Sequence, residues 1–131
     1  WEYAARSGGK EEKWAGTSSK SELADYVWYN DNSGETNHKV GQKRPNGLGL
    51  YDMSGNVLEW CADWYGKHYY TLLKEGAQNP QGPKSGVGRI ARGGSCIDDV
   101  SDVQAAYRGS FRPSDRVAFI GFRLVSAQVS R

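Results

Sequence analysis

Glycine interrupts this chain repeatedly: seventeen glycines are scattered through 131 residues, beside only four prolines. Glycine reaches left-handed backbone conformations freely and weakens the interior of helices and strands. A chain so punctuated excludes long regular elements and favours short ones joined by tight turns. Such a fold needs large side chains to fasten it. Five tryptophans and eight tyrosines supply them, each able to bury a large apolar area. At 131 residues the chain fits one domain, spanning 1–131, that buries roughly two-thirds of its unfolded surface.

Charge narrows the function. The formal net charge is +2, charged residues make up 24%, and the two signs are interspersed without a like-charged run. No basic face for nucleic acid follows from that balance. No apolar stretch approaches the ~20 residues of a membrane span, and no leader pattern opens the chain. Two cysteines, Cys61 and Cys96, are too few for a disulfide framework and lack metal-site spacing.

Along the chain, Trp1–Arg6 reads as the end of a helix that Ser7-Gly8-Gly9 stops. A start inside a helix suggests a piece of something longer. Residues 10–24 are polar and loop-like, with a helical turn around Ser21–Ala24. Tyr26–Tyr29 is an aromatic strand candidate, closed by the turn cluster Asn30–Gly34, and His38–Val40 is a second candidate. Residues 41–50 are turn-rich and 76–88 are loop. Strands are expected at Val57–Tyr65, Ile90–Ser95 and Gly121–Val125. Trp60, Trp64 and Tyr65 are expected in the core, with Cys61 a small buried hydrophobe among them. His68, beside Tyr69 and Tyr70, reads as a surface loop residue.

The string from Asn46 to Trp60, NGLGLYDMSGNVLEW, resembles the core signature of the formylglycine-generating-enzyme (sulfatase-modifying factor) family. Further blocks follow in that family's order: Trp1–Arg6, Asp63-Trp64-Tyr65, Arg92-Gly93-Gly94-Ser95 and Gly121–Val125. The resemblance covers nearly the whole chain but lacks the family's N-terminal portion. It implies an α+β, C-type-lectin-like fold of short strands and long irregular loops. Within the signature, Asp52 and Glu59 can both present oxygens to a hard cation, with backbone carbonyls of Gly55 and Val57 completing the shell. The matching positions of the enzymes hold calcium, so a structural calcium ion is one expectation. The other is that Asp52 caps a turn and Glu59 pairs with an arginine.

Enzymes of this kind use two cysteines, five apart, that bind copper(I) as thiolates. Registered on Arg108 and the Gly121-Phe122-Arg123 block, those positions fall on Val100 and Ala105. Neither carries a thiol, so no copper and no thiol oxidation are expected. Related iron oxidases need a histidine cluster, and His38 and His68 are the only histidines.

Residues 96–119 lie in a part of the chain whose composition has shifted. The last lysine is Lys84, the last glutamate Glu75, the last asparagine Asn79 and the last tryptophan Trp64. Exposed loops usually carry lysine, glutamate and asparagine. Together with Arg92–Ser95, Ala105–Arg108 and Ile120–Val125, this stretch resembles a variable protein of a diversity-generating retroelement. In such systems the adenines of template AAC codons are randomised, which yields Ile, Asp, Ser, Gly, Phe, Arg, Val, Ala or Cys but never Lys, Glu, Gln, Trp or Met. Ile97, Asp98, Asp99, Ser101, Asp102, Gly109, Ser110, Phe111, Arg112, Asp115, Val117, Ala118 and Phe119 obey that restriction. Gln104 does not and is read as scaffold with Tyr107, Arg108, Pro113 and Ile120; Cys96 is reachable.

The resemblance thus implies a ligand-binding protein without catalysis, its variable surface at 96–119 and its ligand a protein. It implies display on a cell surface or phage particle. Phe111 and Phe119 are the expected exposed aromatic anchors, although Phe119 has an inward-packing alternative. A formylglycine-generating oxidoreductase acting on a sulfatase cysteine, and a non-catalytic relative without diversification, are the competing readings.

Overall fold

The computed structural model describes residues 1–78 and 80–126. The expected single-domain span of 1–131 and the loop at 76–88 reach Asn79 and 127–131, which lie outside the described residues.

Regular structure is sparse, as the glycines require. Single helical turns form at Glu2–Ala5 (α1), Leu23–Tyr26 (α2), Asn30–Ser33 (α3) and Tyr69–Leu72 (α4). Strands form at Leu58–Trp64 (β1), Arg89–Arg92 (β2), Arg108–Phe111 (β3) and Ile120–Gly121 (β4). They make one sheet in the order β3-β2-β1-β4, antiparallel except for the parallel pair of β1 and β4. The helix stop after α1 is as expected: Ser7, Gly8 and Gly9 all have positive φ, at 51°, 86° and 89°.

Two expected strands do not form, for the same reason. At Tyr26–Tyr29, the side chain of Asn32 takes the backbone groups that a partner strand would need. It accepts from the Tyr29 N–H (2.9 Å) and donates to the Val27 carbonyl (2.9 Å). Tyr26 therefore closes α2, and only a single bridge joins Trp28 to Gly55. The turn cluster that follows is itself helical, α3, ended by Gly34 at φ 64°. At His38–Val40, Asn56 plays the partner's part. Its amide oxygen accepts the His38 N–H (2.8 Å) and its amide nitrogen donates to the His38 carbonyl (3.1 Å). The expected strand at Gly121–Val125 shrinks to β4, and Phe122, Leu124 and Val125 are exposed.

The core also lies elsewhere than the aromatic run suggested. Trp60 and Trp64 are half-buried, Tyr65 is exposed and Cys61 is only half-buried. The interior is instead made by Trp14, Leu23, Val27, Tyr29 and Val103, and by a second cluster of Ala5, Ala15, Met53 and Ala105. Trp14 is 1% exposed, although it comes from a polar, loop-like stretch.

Candidate functional site

The sheet register decides where residues 96–119 go. Arg92, the last residue of β2, pairs with Glu59 near the start of β1, and Arg108, the first of β3, pairs with Arg92. Leu58 pairs with Ile120, so β4 also begins at that end. The loop 93–107 therefore leaves and returns at the end of the sheet where segment 112–119 arrives. Both hang from one short piece of backbone. The Cys96 N–H donates to the Asn56 carbonyl (2.9 Å), and the Leu58 N–H donates to the Phe119 carbonyl (2.8 Å).

The loop 93–107 is held almost wholly through its main chain. Gly55 N–H donates to the Gly93 carbonyl (2.8 Å), Ser33 Oγ to that of Cys96 (2.6 Å), and Asn30 N–H to that of Asp98 (3.2 Å). Trp14 Nε1 donates to the Val100 carbonyl (3.0 Å), and the Ala105 N–H to the Lys13 carbonyl (2.9 Å). The Arg92 guanidinium closes the loop by donating to the carbonyls of Ala106 (3.0 Å) and Tyr107 (2.7 Å). Val103 is fully buried against Trp14. Between these anchors, Ile97, Asp99 and Ser101 are exposed. A main chain fixed this way leaves the outward side chains free to differ.

The candidate positions are not equivalent. Asp98 is half-buried and its carboxylate accepts from both the N–H and the hydroxyl of Ser95, each at 2.8 Å. Asp99 accepts from the Asn30 side chain, and Asp102 is half-buried. Ser110 and the stretch from Arg112 to Ala118 are exposed, including Asp115 and Val117. Asp115 nevertheless caps its own turn by accepting from the Arg112 N–H (2.8 Å). Gly109 offers a ligand nothing: it is buried in β3, where an added Cβ would sit 3.0 Å from the Phe111 ring.

Phe111 and Phe119 are half-buried rather than exposed. Phe111 packs edge-on against Trp60, with ring centroids 6.2 Å apart. Registered partners share a sheet face, which puts Trp60 with Ala91 and Gly109, and Trp64 with Arg89 and Phe111. The Arg89 guanidinium lies 3.7 Å over the Trp64 ring. Sequence reasoning missed Trp14, Asn56 and Trp60 as organisers of this site. A lone tryptophan in a polar segment was the one available signal for Trp14.

The positions registered on the catalytic thiols are filled by packing. Ala105 is fully buried in the Met53 cluster, and Val100 packs against the Trp14 cluster. Cys61 and Cys96 are both free. Burial pushes both thiols above their ordinary range, the opposite of an activated thiolate.

The carboxylates considered for calcium line one small recess with Gly41, Asn56, Val57 and Arg123. Asp52 sits at φ 55° and accepts the Gly41 N–H (2.8 Å). Glu59, 5% exposed, accepts from Trp1 Nε1 (2.7 Å) and Arg123 Nε (2.7 Å) on one oxygen, and from the second Arg123 nitrogen on the other. Gly55 is buried and Val57 half-buried. A carboxylate offers about four lone-pair sites, and three of Glu59's are taken, two of them by a cation. This is the second of the two expected arrangements, with Asp52 holding a turn and Glu59 paired with an arginine. Among the described residues no three His, Cys, Asp or Glu side chains gather as a metal cluster, and no helix is long and apolar enough to cross a membrane.

Residues 1–128 match the sulfatase-modifying factor enzyme 1-like domain. The chain belongs to this FGE-sulfatase family. Its fold is the α+β, C-type-lectin-like fold of its solved structural neighbours. It is similar to Treponema denticola variable protein 1, with a TM-score of 0.82 and 42% identity over 93% of this chain and 43% of that one. It is 35% identical to the formylglycine-generating enzyme of Streptomyces coelicolor over 94% of this chain and 43% of the enzyme. It is also 44% identical to the serine/threonine-protein kinase pkn1 of Chlamydia pneumoniae, over 60% of this chain and 13% of the kinase. The chain thus spans less than half the length of these relatives.

Proposed function

We propose that this chain is a non-catalytic ligand-binding protein whose surface at 96–119 is diversified by a retroelement and whose ligand is a protein. The observation that carries the reading is the anchoring of loop 93–107. Main-chain hydrogen bonds and the buried Val103 fix its path, while Ile97 and Ser101 are exposed and hold no part of that path. Substitution at those outward positions costs little stability, because surface changes away from packing and caps usually fall within about 0.5 kcal/mol. Similarity to a variable protein supports the same reading. Half-buried Phe111 on Trp60 provides an aromatic centre, a residue type enriched where binding energy concentrates. Display on a cell surface or phage particle belongs to this proposal.

The gene tests it. Codons of the form NNC or NNT are expected at the candidate positions, with a nearby template repeat carrying AAC or AAT. Arbitrary third bases and no repeat would sink the diversification. The enzyme alternative has its own assay, in which a cysteine-containing sulfatase peptide incubated with the protein is expected to keep its cysteine by mass spectrometry. Conversion to formylglycine would overturn the non-catalytic reading.

Calcium is dispensable in this proposal, because Arg123 already neutralises Glu59. The thermal midpoint is expected to be the same in excess chelator and in millimolar calcium. A midpoint that falls with chelator and returns with calcium would show that Arg123 yields Glu59 to the ion.

A further inference from the structure

On the sheet face that carries Glu59, Arg92 and Arg108, a groove of about 1060 Å³ opens beside α1. That is the size of a small-molecule site. Its lining is mainly apolar, with Trp1, Leu50, Ile90 and Tyr70 among the contributors, and three arginines converge on it: Arg92, Arg108 and Arg123.

The three are not in the same condition. Arg92 is paired with Glu2, and Arg123 with Glu59. Arg108 has no carboxylate partner among the described residues. Its guanidinium lies over the rings of Tyr70 (4.5 Å) and Tyr65 (5.5 Å), and its Nε is buried without a hydrogen-bond partner. A buried donor left unmade is costly and marks a place where something can be bound. Against its three arginines the lining sets two acids, Glu2 and Asp63, which leaves one net positive charge: Glu2 is already shared by Arg6 and Arg92, and Asp63 is exposed to water.

We propose that this groove is a second binding site, separate from the variable surface, which takes an apolar carboxylate with its charge on Arg108 and its hydrocarbon body between Tyr70 and Ile90. A guanidinium binds a carboxylate through two parallel N–H donors, and the two tyrosine faces hold the guanidinium plane in place for it. Arg108, although within 96–119, is not one of the candidate variable positions, and none of those positions lines the groove, so this site stays the same whatever side chains they carry.

The probes are 3-phenylpropionate and its uncharged twin 3-phenylpropionamide, titrated into ¹⁵N-labelled protein. The readouts are the N–H signals of Arg108 Nε and Trp1 Nε1. Saturable shifts of both are expected, with the acid bound at least about tenfold more tightly than the amide, the factor one charge-assisted hydrogen bond supplies. Arg108→Gln should bring acid and amide to equal affinity, and Arg108→Lys should keep part of the preference. Equal binding of acid and amide by the unaltered protein, or shifts that never involve Arg108 Nε, would overturn the proposal even if Arg108→Gln fails to fold. So would a preference that survives in a folded Arg108→Gln protein.

Discussion

Replacing Trp14 by alanine is expected to cost about 3–5 kcal/mol of stability, the usual toll of truncating a buried tryptophan. The side chain is 1% exposed and is the largest member of the cluster it forms with Leu23, Val27, Tyr29 and Val103. It also holds the Val100 carbonyl through Nε1, so truncation orphans that acceptor beside the cavity it creates. A domain of this size is stable by only about 5–15 kcal/mol, and the loss is a large part of that. Denaturant unfolding followed by circular dichroism reads the effect. Trp14→Phe separates its two components, because it keeps most of the packing and removes only the bond to Val100, about 1–3 kcal/mol. Amide hydrogen exchange in the Phe variant should rise first at residues 97–102, the part of the loop that Trp14 pins. A Trp14→Ala protein within 1 kcal/mol of the parent would mean that loop 93–107 does not depend on this core.

Much of the architecture is legible in the residues themselves. Val57–Tyr65 and Ile90–Ser95 are β-prone runs bounded by glycine, and both give strands, β1 and β2. Arg108–Phe111 carries no alternation and contains a glycine, yet it is β3, because the edge of β2 offers it a ladder. Tertiary pairing overrides local preference there. The errors at Tyr26–Tyr29 and His38–Val40 have a common origin: single asparagines, Asn32 and Asn56, take the place of a partner strand. No local pattern announces such a substitution. The run of aromatics at 60–65 drew the core to itself, while the actual interior is assembled from an isolated Trp14 and small residues such as Ala5 and Ala105.

The candidate site is legible in a different measure. Its place is suggested by composition, since lysine, glutamate and asparagine all cease by residue 84, and its bounds by the resemblance to variable proteins. Its support does not. The anchors are mostly backbone carbonyls of Gly93, Cys96, Asp98, Val100, Ala106 and Tyr107, and a carbonyl has no letter of its own. That is also why the support tolerates change. Whatever side chain stands at 97 or 101, the carbonyl groups stay. Asp98 and Gly109 are the strongest exceptions, one tied twice to Ser95 and the other buried under Phe111, while Asp99 and Asp115 each hold a single exposed hydrogen bond. Substitutions at Asp98 and Gly109 should cost more than at Ile97 or Ser101.

Glu59→Ala is the second large effect, about 3 kcal/mol, the lower end of what breaking a buried ion pair costs. The lower end applies because the Arg123 side chain is 31% exposed and water partly replaces its lost partner. The change strips acceptors from Arg123 and from Trp1 Nε1 together, and so loosens α1 and the segment after β4 from β1. Arg123→Ala should cost at least as much, because it leaves Glu59, 5% exposed, with only Trp1. The paired change Glu59→Leu with Arg123→Leu should be milder than the sum of the two alanine variants, since no uncompensated charge remains. Strict additivity would remove the ion pair from the account of stability. The same variants bear on calcium. With Arg123 gone, Asp52 and Glu59 face one recess without a cation between them, and millimolar calcium is expected to raise the melting point of Arg123→Ala while leaving the parent protein unmoved. A response in neither would show that the carbonyls of Gly55 and Val57 do not complete a shell, and a response in both that the arginine was never the obstacle.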